Sequence, residues 1–393
     1  MAEFAVVIPV YNREKVIARA VQSVQNQTFK DWELIIIDDG SVDGTAMVVK
    51  SFLTDSRIKY IWQENKGAQA ARNHGLSLAK GEYICFLDSD DELLPDFMAE
   101  MLAAYQSDAS AGCVYCWTGM QMPDGFMVAR KDSLEGDIYA AALAQGYITS
   151  PSFMTMRRSC FERIGPWDES LKSSQDDDIC FRLAKFFRYK LIRKVLAIYH
   201  ADYEGNENRI GASELRVAQG WLRLWQKFED EVVEQCGAGI MCKHYLKCFR
   251  DLSMAGGDSR SINIAWEKAK EYATDSVERE ERALLENCKE HNVYCYGAGK
   301  YGQTVANYLL RERILIKAFV VSDGEDVVSP LPGISCLQRS DVKDEENSVV
   351  LLAASEKHQA AMRQALGDTP VKILPVSAGL QAWLQVRLDF DRA

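Results

Sequence analysis

The most informative stretch of this chain reads YICFLDSDD and spans Tyr83 to Asp91. Its first half is apolar and aromatic, which is typical of a buried β-strand. It ends in a cluster of acids, and carboxylates this close raise one another's pKa unless something neutralises them. The pattern therefore predicts a divalent cation with oxygen ligands that carries a phosphate ester at this strand end. The alternative is an acidic helix start, which the helix dipole favours.

The composition of the whole chain excludes several classes of protein. Its 393 residues carry a formal net charge of −11, whereas nucleic-acid binding requires a basic surface. No apolar run reaches the ~18 residues that a membrane-spanning helix needs. The 11 cysteines lack the spacing of a disulfide framework, and the first residues lack the pattern of a cleavable signal. We therefore expect reduced thiols, a cytoplasmic location and no nucleic-acid partner.

Strand and helix patterns alternate over residues 1 to 110. Each predicted strand is a short apolar run, and a helix pattern separates it from the next one. The predicted strands are Phe4–Val10, Glu33–Asp39, Ile58–Ile61 and Tyr83–Asp88. Apolar strands separated by helices are typical of a parallel sheet that is covered on both faces, so the fold class is α/β.

Polar side chains follow three of these strands. Tyr11 and Asn12 come after the first strand, Asp38–Asp39 end the second, and Asp88–Asp91 end the fourth. Ligands of such sheets bind outside the carboxyl ends of the strands. Because three strand ends agree, the sequence predicts a ligand site at this edge.

The remainder of the chain can be divided into segments by its predicted secondary structure. Residues 111–200 contain shorter strand-like pieces that we expect to complete the sheet, residues 211–288 have helical periodicity, and strand and helix patterns alternate again after residue 289. We therefore predict a first α/β domain over residues 1–210, a helical connector over 211–288 and a small α/β domain over 289–393.

Several segments of the first half resemble a known family in sequence, order and spacing. They are Val6–Asn12, Ile37–Ser41 with Asp43–Thr45, Asn65–Gly67 with Ala71–Asn73, Gly81–Asp91, and Gly165–Glu169 followed by Gln175–Asp178. The first two hundred residues thus resemble the inverting family 2 glycosyltransferases, which have the GT-A fold. The resemblance implies transfer of a sugar from a nucleoside-diphosphate sugar to an acceptor hydroxyl, with Mn²⁺ or Mg²⁺ as cofactor.

The resemblance also implies which residues bind the donor. They are Pro9, Val10, Tyr11, Asp39, Arg72, Asp88 and Ser89. Asp39 would accept a hydrogen bond from a uracil ring N–H, and Asp88 would bind the ribose or a metal-bound water. Arg72 would reach the base or the diphosphate, because a guanidinium suits forked recognition of anions. The alternative for Asp38 and Asp39 is capping of the turn that follows them.

The metal ligands and the base also follow from the resemblance. Asp90 is expected to bind the metal directly, and His200 is a second candidate, although a strand-end histidine in a polar loop is the alternative. Inversion requires a base on the face opposite the leaving group, and Asp176 is the candidate.

The assignment of the base departs from the family pattern at one position. Gln175 stands where the family usually has Glu, so Asp177 or Asp178 could be the base instead of Asp176. The other alternative is that these acids form only an acidic helix start.

A glycine-rich turn marks the last domain. Gly297, Gly299 and Gly302 follow a predicted strand with the spacing of dinucleotide-binding turns, and Asp323 follows the next strand, where a ribose-binding acid belongs. The domain resembles Rossmann-like nucleotide-binding modules. It could bind a nucleotide or a nucleotide sugar, or the turn could have only a structural role.

The functional hypothesis is a metal-dependent inverting hexosyltransferase. Its donor is expected to be a nucleotide sugar, namely a UDP-sugar, and its acceptor a glycan or a lipid-linked saccharide. Its role would be in polysaccharide or glycoconjugate synthesis. Basic and aromatic residues in 182–194 allow peripheral contact with the inner face of the membrane, or merely a solvated helix face. Two alternatives stay open. A nucleotidyltransferase would need a glycine-rich basic loop after the first strand, and a nucleotide-sugar-binding protein would lack transferase activity.

Overall fold

The computed structural model describes residues 2–122, 127–200, 213–273, 275–323, 328–341, 347–354, 356–366, 371–377, 380–381, 383–384 and 388. The chain forms two compact units, Met1–Cys236 and Gly237–Ala393. The predicted boundary at residue 210 lies outside the described residues, and the predicted connector 211–288 is divided between the two units.

The first unit contains one large mixed sheet. Its strands are β1 Phe4–Val10, β2 Trp32–Asp38, β3 Ile58–Trp62, β4 Tyr83–Phe86, β5 Glu92–Leu93, β6 Ala111–Gln121, β7 Met127–Arg130, β8 Met154–Arg157 and β9 Arg188–His200. The order is β3-β2-β1-β4-β8-β6-β9-β5, with β7 paired to β6. Strands β1 to β4 are parallel, and β8 joins β4 in the antiparallel direction. The predicted parallel α/β sheet is therefore confirmed.

Helices cover the parallel strands, so every residue of β1 and β2 is buried. The helices of this unit are α1 Ile17–Gln25, α2 Thr45–Lys50, α3 Ala68–Leu78, α4 Phe97–Ser107, α5 Tyr139–Gln145, α6 Cys160–Ile164, α7 Gln175–Ala184, α8 Glu214–Lys227 and α9 Glu229–Cys236. Helix α3 lies close to the sheet at Gly75, where an added Cβ atom would be 2.3 Å from Val7 Cγ1. The same helix carries Arg72, which contacts Asp88 in the loop after β4.

The second unit contains a separate parallel sheet. Its strands are β10 Asn292–Tyr296, β11 Ile316–Val321, β12 Ser335–Gln338, β13 Ser348–Leu352 and β14 Lys372–Pro375. Its helices are α10 Ala238–Met254, α11 Ser259–Tyr272, α12 Asp275–Lys289, α13 Lys300–Arg311 and α14 Glu356–Leu366. The strand order β12-β11-β10-β13-β14 places the first strand in the middle, as in doubly wound nucleotide-binding folds. The prediction of a second α/β domain is confirmed. None of the helices among the described residues is long and apolar enough to cross a membrane.

Candidate active site

The loops that follow β1 and β2 are joined to each other by hydrogen bonds. The Asn12 backbone N–H donates to Ser41 Oγ at 2.9 Å, and the Val42 N–H donates to Asn12 Oδ1 at 2.9 Å. The Asp39 N–H donates to the Val10 carbonyl at 2.8 Å. The polar residues that the sequence places after neighbouring strands therefore lie at one edge of the sheet, as predicted.

Of the three residues expected to contact the nucleoside at the end of β1, only Tyr11 offers its side chain. Pro9 and Val10 are buried in the strand, whereas the Tyr11 side chain is 40% exposed. Since the Val10 carbonyl already accepts a hydrogen bond, Tyr11 is the residue of this group best placed to contact a base.

Asp38 and Asp39 have different partners. Asp38 Oδ1 accepts the Ser41 N–H at 2.8 Å, and Asp38 Oδ2 accepts the Tyr60 hydroxyl at 2.5 Å. Burial and the adjacent Asp38 carboxylate raise the pKa of Tyr60, so the phenol stays protonated and donates. Asp38 thus caps the turn, which is the alternative considered from the sequence.

Asp39 is held by the segment that leads into α3. Its Oδ1 atom accepts hydrogen bonds from Gln63 Nε2 at 2.7 Å and from the Lys66 N–H at 2.9 Å. Its Oδ2 atom accepts the Gly67 N–H at 2.8 Å. A carboxylate has about four acceptor positions, so one remains for a ligand. The predicted contact with a base N–H is compatible with this geometry.

Arg72, on α3, is the principal cation of the site. Its Nη2 atom donates to Asp88 Oδ1 at 2.7 Å, and its guanidinium lies 4.6 Å from the centre of the Trp167 ring. Burial lowers the pKa of Arg72, but Asp88 and Asp176 raise it by more, so Arg72 remains charged. Its Nε and Nη1 atoms are buried and have no hydrogen-bond partner among the residues that the structure describes. Arg72 is therefore a buried cation whose hydrogen-bonding capacity is only partly used in the described structure.

The acidic loop after β4 is fixed through its backbone. The Asp88 N–H donates to Ser152 Oγ at 3.0 Å, and Arg19 Nη2 donates to the Asp90 carbonyl at 2.7 Å. Ser89 and Asp90 are buried, while the Asp88 side chain is 31% exposed. The loop therefore holds Asp88 with Oδ1 on Arg72, while part of its side chain stays accessible.

The loop contains two carboxylates of the kind that bind a divalent cation. Magnesium is commonly bound by one or two carboxylates together with substrate phosphates and waters, and Asp88 and Asp90 supply such oxygens. Over the described part of the chain, no group of three or more His, Cys, Asp and Glu residues is arranged to hold a metal. His200 is buried at the end of β9, with Nε2 3.3 Å from Glu92 Oε2. Metal binding by Asp90 and by His200 stays a prediction.

Asp176 lies in the first turn of α7, close enough to Arg72 and Asp88 for their charges to interact. The preceding Ser174 has a left-handed backbone, φ 57°, that turns the chain into the helix. Burial raises the pKa of Asp176 to about 6, the charge of Arg72 lowers it, and that of Asp88 raises it. Its Oδ1 atom is buried without a hydrogen-bond partner in the described structure. A carboxylate with a raised pKa and a free oxygen is suited to accept a proton.

Asp178 is disfavoured as the base because it is already ion-paired. Its Oδ2 atom accepts from Arg182 Nη2 at 2.7 Å, and its Oδ1 atom lies 2.7 Å from Lys227 Nζ. Asp177 is buried and also interacts with neighbouring groups. The assignment of the base to Asp176 stays a prediction, with Asp177 as the alternative.

The sequence analysis missed the residues that hold the loop before Asp176. Asn73 on α3 donates to the Trp167 carbonyl at 3.0 Å and accepts the Trp167 N–H at 2.8 Å. Gln69 Nε2 donates to the Leu171 carbonyl at 2.5 Å. The resemblance already pointed to Ala71–Asn73 and Gly165–Glu169 as motifs, but only the structure shows that the two motifs bind each other.

Helix α8, which the sequence assigned to the connector, packs on the same loop. An added Cβ atom at Gly220 would lie 1.9 Å from Ser173 Oγ, which itself donates to the Arg216 carbonyl at 2.6 Å. Lys227 bridges Asp168 and Asp178, with 2.7 Å to each carboxylate. Helix α8 therefore packs against the loop that precedes Asp176 and forms an ion pair with Asp178 of α7.

We expect Asp178→Asn to destabilise the first unit, because it leaves Arg182 and Lys227 without the buried carboxylate that they share. The expected loss is about 3 kcal/mol of the free energy of unfolding, measured by urea denaturation. Asp137→Asn, at an exposed pair with Arg188, is the matched control and should lose less than about 1 kcal/mol. Equal losses in both variants would contradict the role given to Asp178.

The basic residues of segment 182–194 are largely neutralised by acids of the same unit. The pairs are Lys185–Glu231, Arg188–Asp137, Lys190–Glu135, Arg193–Glu135 and Lys194–Glu100, each with 2.8–3.0 Å between the charged atoms. The segment therefore presents little net positive charge to an anionic surface.

The glycine-rich turn of the second unit has a packing role. Gly297 has φ 108°, and an added Cβ atom at Gly302 would lie 1.7 Å from the Gly297 carbonyl oxygen. Gly299 has nothing within 4 Å of its added Cβ atom. Asp323 follows β11, and its Oδ1 atom accepts the Ser340 N–H at 2.8 Å. Nucleotide binding by these residues stays a prediction.

Comparisons with known proteins agree on the first unit. Residues 5–165 match the model of the family described as Glycosyl transferase family 2. The chain is similar to glycosyltransferase GlyA of Streptococcus pneumoniae (25% identical over 277 residues, 66% of this chain and 39% of that protein). It is also similar to GlyG of the same species (39% over 199 residues, 49% and 57%) and to chondroitin synthase of Escherichia coli (31% over 192 residues, 49% and 28%). The chain thus spans less than two thirds of the length of these relatives.

The comparison with solved structures concerns the fold. The structure of S. aureus TarS in complex with UDP-GlcNAc has a TM-score of 0.56 and 18% sequence identity, and the match covers 85% of this chain and 98% of that chain. Together with the family match, this likeness confirms the GT-A fold expected from the sequence.

Proposed function

We propose that this protein is a metal-dependent inverting glycosyltransferase, because residues 5–165 match the model of glycosyl transferase family 2. Its donor is a nucleoside-diphosphate sugar, and its acceptor is a hydroxyl of a glycan or of a lipid-linked saccharide. The observation that carries the proposal is the cluster of Arg72, Asp88 and Asp176 at the carboxyl edge of the sheet. It combines a buried cation, two of whose nitrogen atoms have no hydrogen-bond partner in the described structure, with a carboxylate of raised pKa.

Each residue of the cluster has a separate role in the proposed reaction. Asp176 takes the proton of the acceptor hydroxyl as the acceptor oxygen bonds to the anomeric carbon, and the electron pair of the breaking bond leaves with the diphosphate. Arg72 donates its free N–H groups to that diphosphate, where negative charge increases. A divalent cation held by Asp90, with Asp88 beside it, would supply further neutralisation of the leaving group. Attack from the face opposite the leaving group inverts the anomeric centre.

The donor is proposed to carry uracil. Asp39 retains one acceptor position for a ring N–H, and the structural neighbour TarS is described in complex with UDP-GlcNAc. The names of the relatives, among them a chondroitin synthase, support a role in polysaccharide or glycoconjugate synthesis. A cytoplasmic location is part of the proposal. Peripheral membrane contact through segment 182–194 has a weaker basis, because its charges are paired.

We expect the protein to bind UDP more tightly with Mn²⁺ than without it, as measured by titration calorimetry. We also expect it to release UDP slowly from UDP-sugars in the absence of acceptor. Asp90→Asn should abolish the increase in UDP affinity that Mn²⁺ causes. Asp108→Asn, a surface variant away from the site, should keep this increase. Binding of a nucleotide sugar without release of UDP, even with an acceptor extract, would support a binding protein instead. Capture of neither UDP nor Mn²⁺ would refute the proposal.

A further inference from the structure

A chain of hydrogen bonds leads from Asp39 to α3. Gln63 follows β3, and its backbone N–H donates to the Asp38 carbonyl at 2.8 Å, which fixes its position. Its Nε2 atom donates to Asp39 Oδ1 at 2.7 Å, and its Oε1 atom lies 2.7 Å from His74 Nδ1. Asp39 is buried, and the side chains of Gln63 and His74 are partly buried.

The chemistry of the three side chains permits one arrangement of protons. An ionised carboxylate only accepts hydrogen bonds, so the amide nitrogen of Gln63 must face Asp39. The amide oxygen then faces His74, and an oxygen can only accept. The proton of the neutral imidazole must therefore be on Nδ1. The Asp39 carboxylate thus sets the orientation of the Gln63 amide, and the hydrogen bond from His74 Nδ1 holds that amide in place.

We propose that Gln63 and His74 are positioning residues that orient Asp39 for recognition of the donor base. The inference rests on the proposed function and adds to it the residues that hold Asp39 in place for selection of the base. With Gln63, Lys66 and Gly67 each donating to the carboxylate, the one remaining position of Asp39 accepts from a ring N–H. Uracil, thymine and guanine have such a group. Cytosine and adenine present a ring nitrogen that is itself an acceptor, and the carboxylate repels it.

The test compares the affinities of the full-length protein for UDP and CDP, measured by titration calorimetry with Mn²⁺ present. Gln63→Met keeps the side-chain volume but removes both hydrogen bonds. We expect a loss of about tenfold in UDP affinity with little change for CDP, since one charge-assisted hydrogen bond is involved. His74→Phe should reduce the ratio of UDP to CDP affinity by about threefold, because it frees the Gln63 amide to rotate.

Two further variants separate positioning from a general loss of structure. The double variant Gln63→Met/His74→Phe should resemble Gln63→Met alone, because His74 acts through Gln63 and coupled residues are not additive. His74→Asn places an amide N–H near the position of Nδ1 and should restore most of the selectivity lost in His74→Phe. Gln22→Met, at an exposed glutamine of α1, is the matched control and should behave as the wild type.

The possible outcomes distinguish the two proposals. If the wild type binds no nucleoside diphosphate, the proposed function fails and the inference fails with it. If the wild type prefers UDP and both Gln63→Met and His74→Phe keep the wild-type ratio, the inference fails while the proposed function stands. If Gln63→Met does not fold, the inference is tested by comparing His74→Phe with His74→Asn. Equal ratios of UDP to CDP affinity in these two variants would overturn it.

Discussion

Asp176→Asn is expected to reduce turnover on the order of 10²- to 10⁴-fold, because the asparagine amide cannot accept the proton of the acceptor hydroxyl. Affinity for UDP should stay close to that of the wild type, since donor binding is proposed to rest on other residues. The melting temperature should stay equal or rise at neutral pH, because the substitution removes a charge that burial disfavours. Steady-state kinetics, calorimetry and thermal melting check the three statements.

Two other acids provide the controls for this prediction. Asp177→Asn keeps Asp176 and should retain far more turnover, and Asp137→Asn changes an acid whose side chain is 83% exposed. If Asp176→Asn keeps wild-type turnover while Asp177→Asn loses it, the base has been assigned to the wrong residue. If all three variants remain active, the proposed mechanism is wrong.

Arg72→Gln is expected to lower kcat/KM on the order of 10²- to 10³-fold at neutral pH, the range found when a donor to a developing negative charge is removed. It should also change the pH dependence. In the wild type, kcat/KM should rise with pH through about 6 as Asp176 loses its proton, since its pKa is raised by burial. Arg72 lowers that pKa, so its removal should move the rise to higher pH.

The matched variants separate charge from geometry. Arg72→Lys keeps a positive charge near Asp176, so the rise should stay near pH 6 while KM for the donor increases, because lysine lacks the planar fork. Arg223→Gln, at an exposed arginine of α8, should leave the profile unchanged. A profile of Arg72→Gln that coincides with that of the wild type would show that Arg72 does not act on the base.

The parallel half of the first sheet could be predicted from the sequence almost strand by strand. Strands β1 to β4 begin and end within two residues of the predicted runs. Strands β1, β2 and β4 are buried along their whole length, whereas β3 is a partly exposed edge strand. The acids after β2 and β4 could be recognised because each group directly follows an apolar run. The separate roles of Asp38 and Asp39 could not be predicted from the sequence, since both are acids at one strand end and differ only in their hydrogen-bond partners.

The sequence by itself determined the α/β class, and it predicted the edge of the sheet, the acids and the arginine of the candidate site. The tertiary structure favours Asp176 over Asp178 as the candidate base, because Asp178 is paired with Lys227 of α8 and Asp176 Oδ1 has no hydrogen-bond partner in the described structure. It also decided that Asn73 holds Trp167 and that Gln63 connects Asp39 to His74. Periodicity and burial are properties of neighbouring residues and are visible in a local pattern. Hydrogen bonds and ion pairs between distant segments depend on how the sheet brings those segments together.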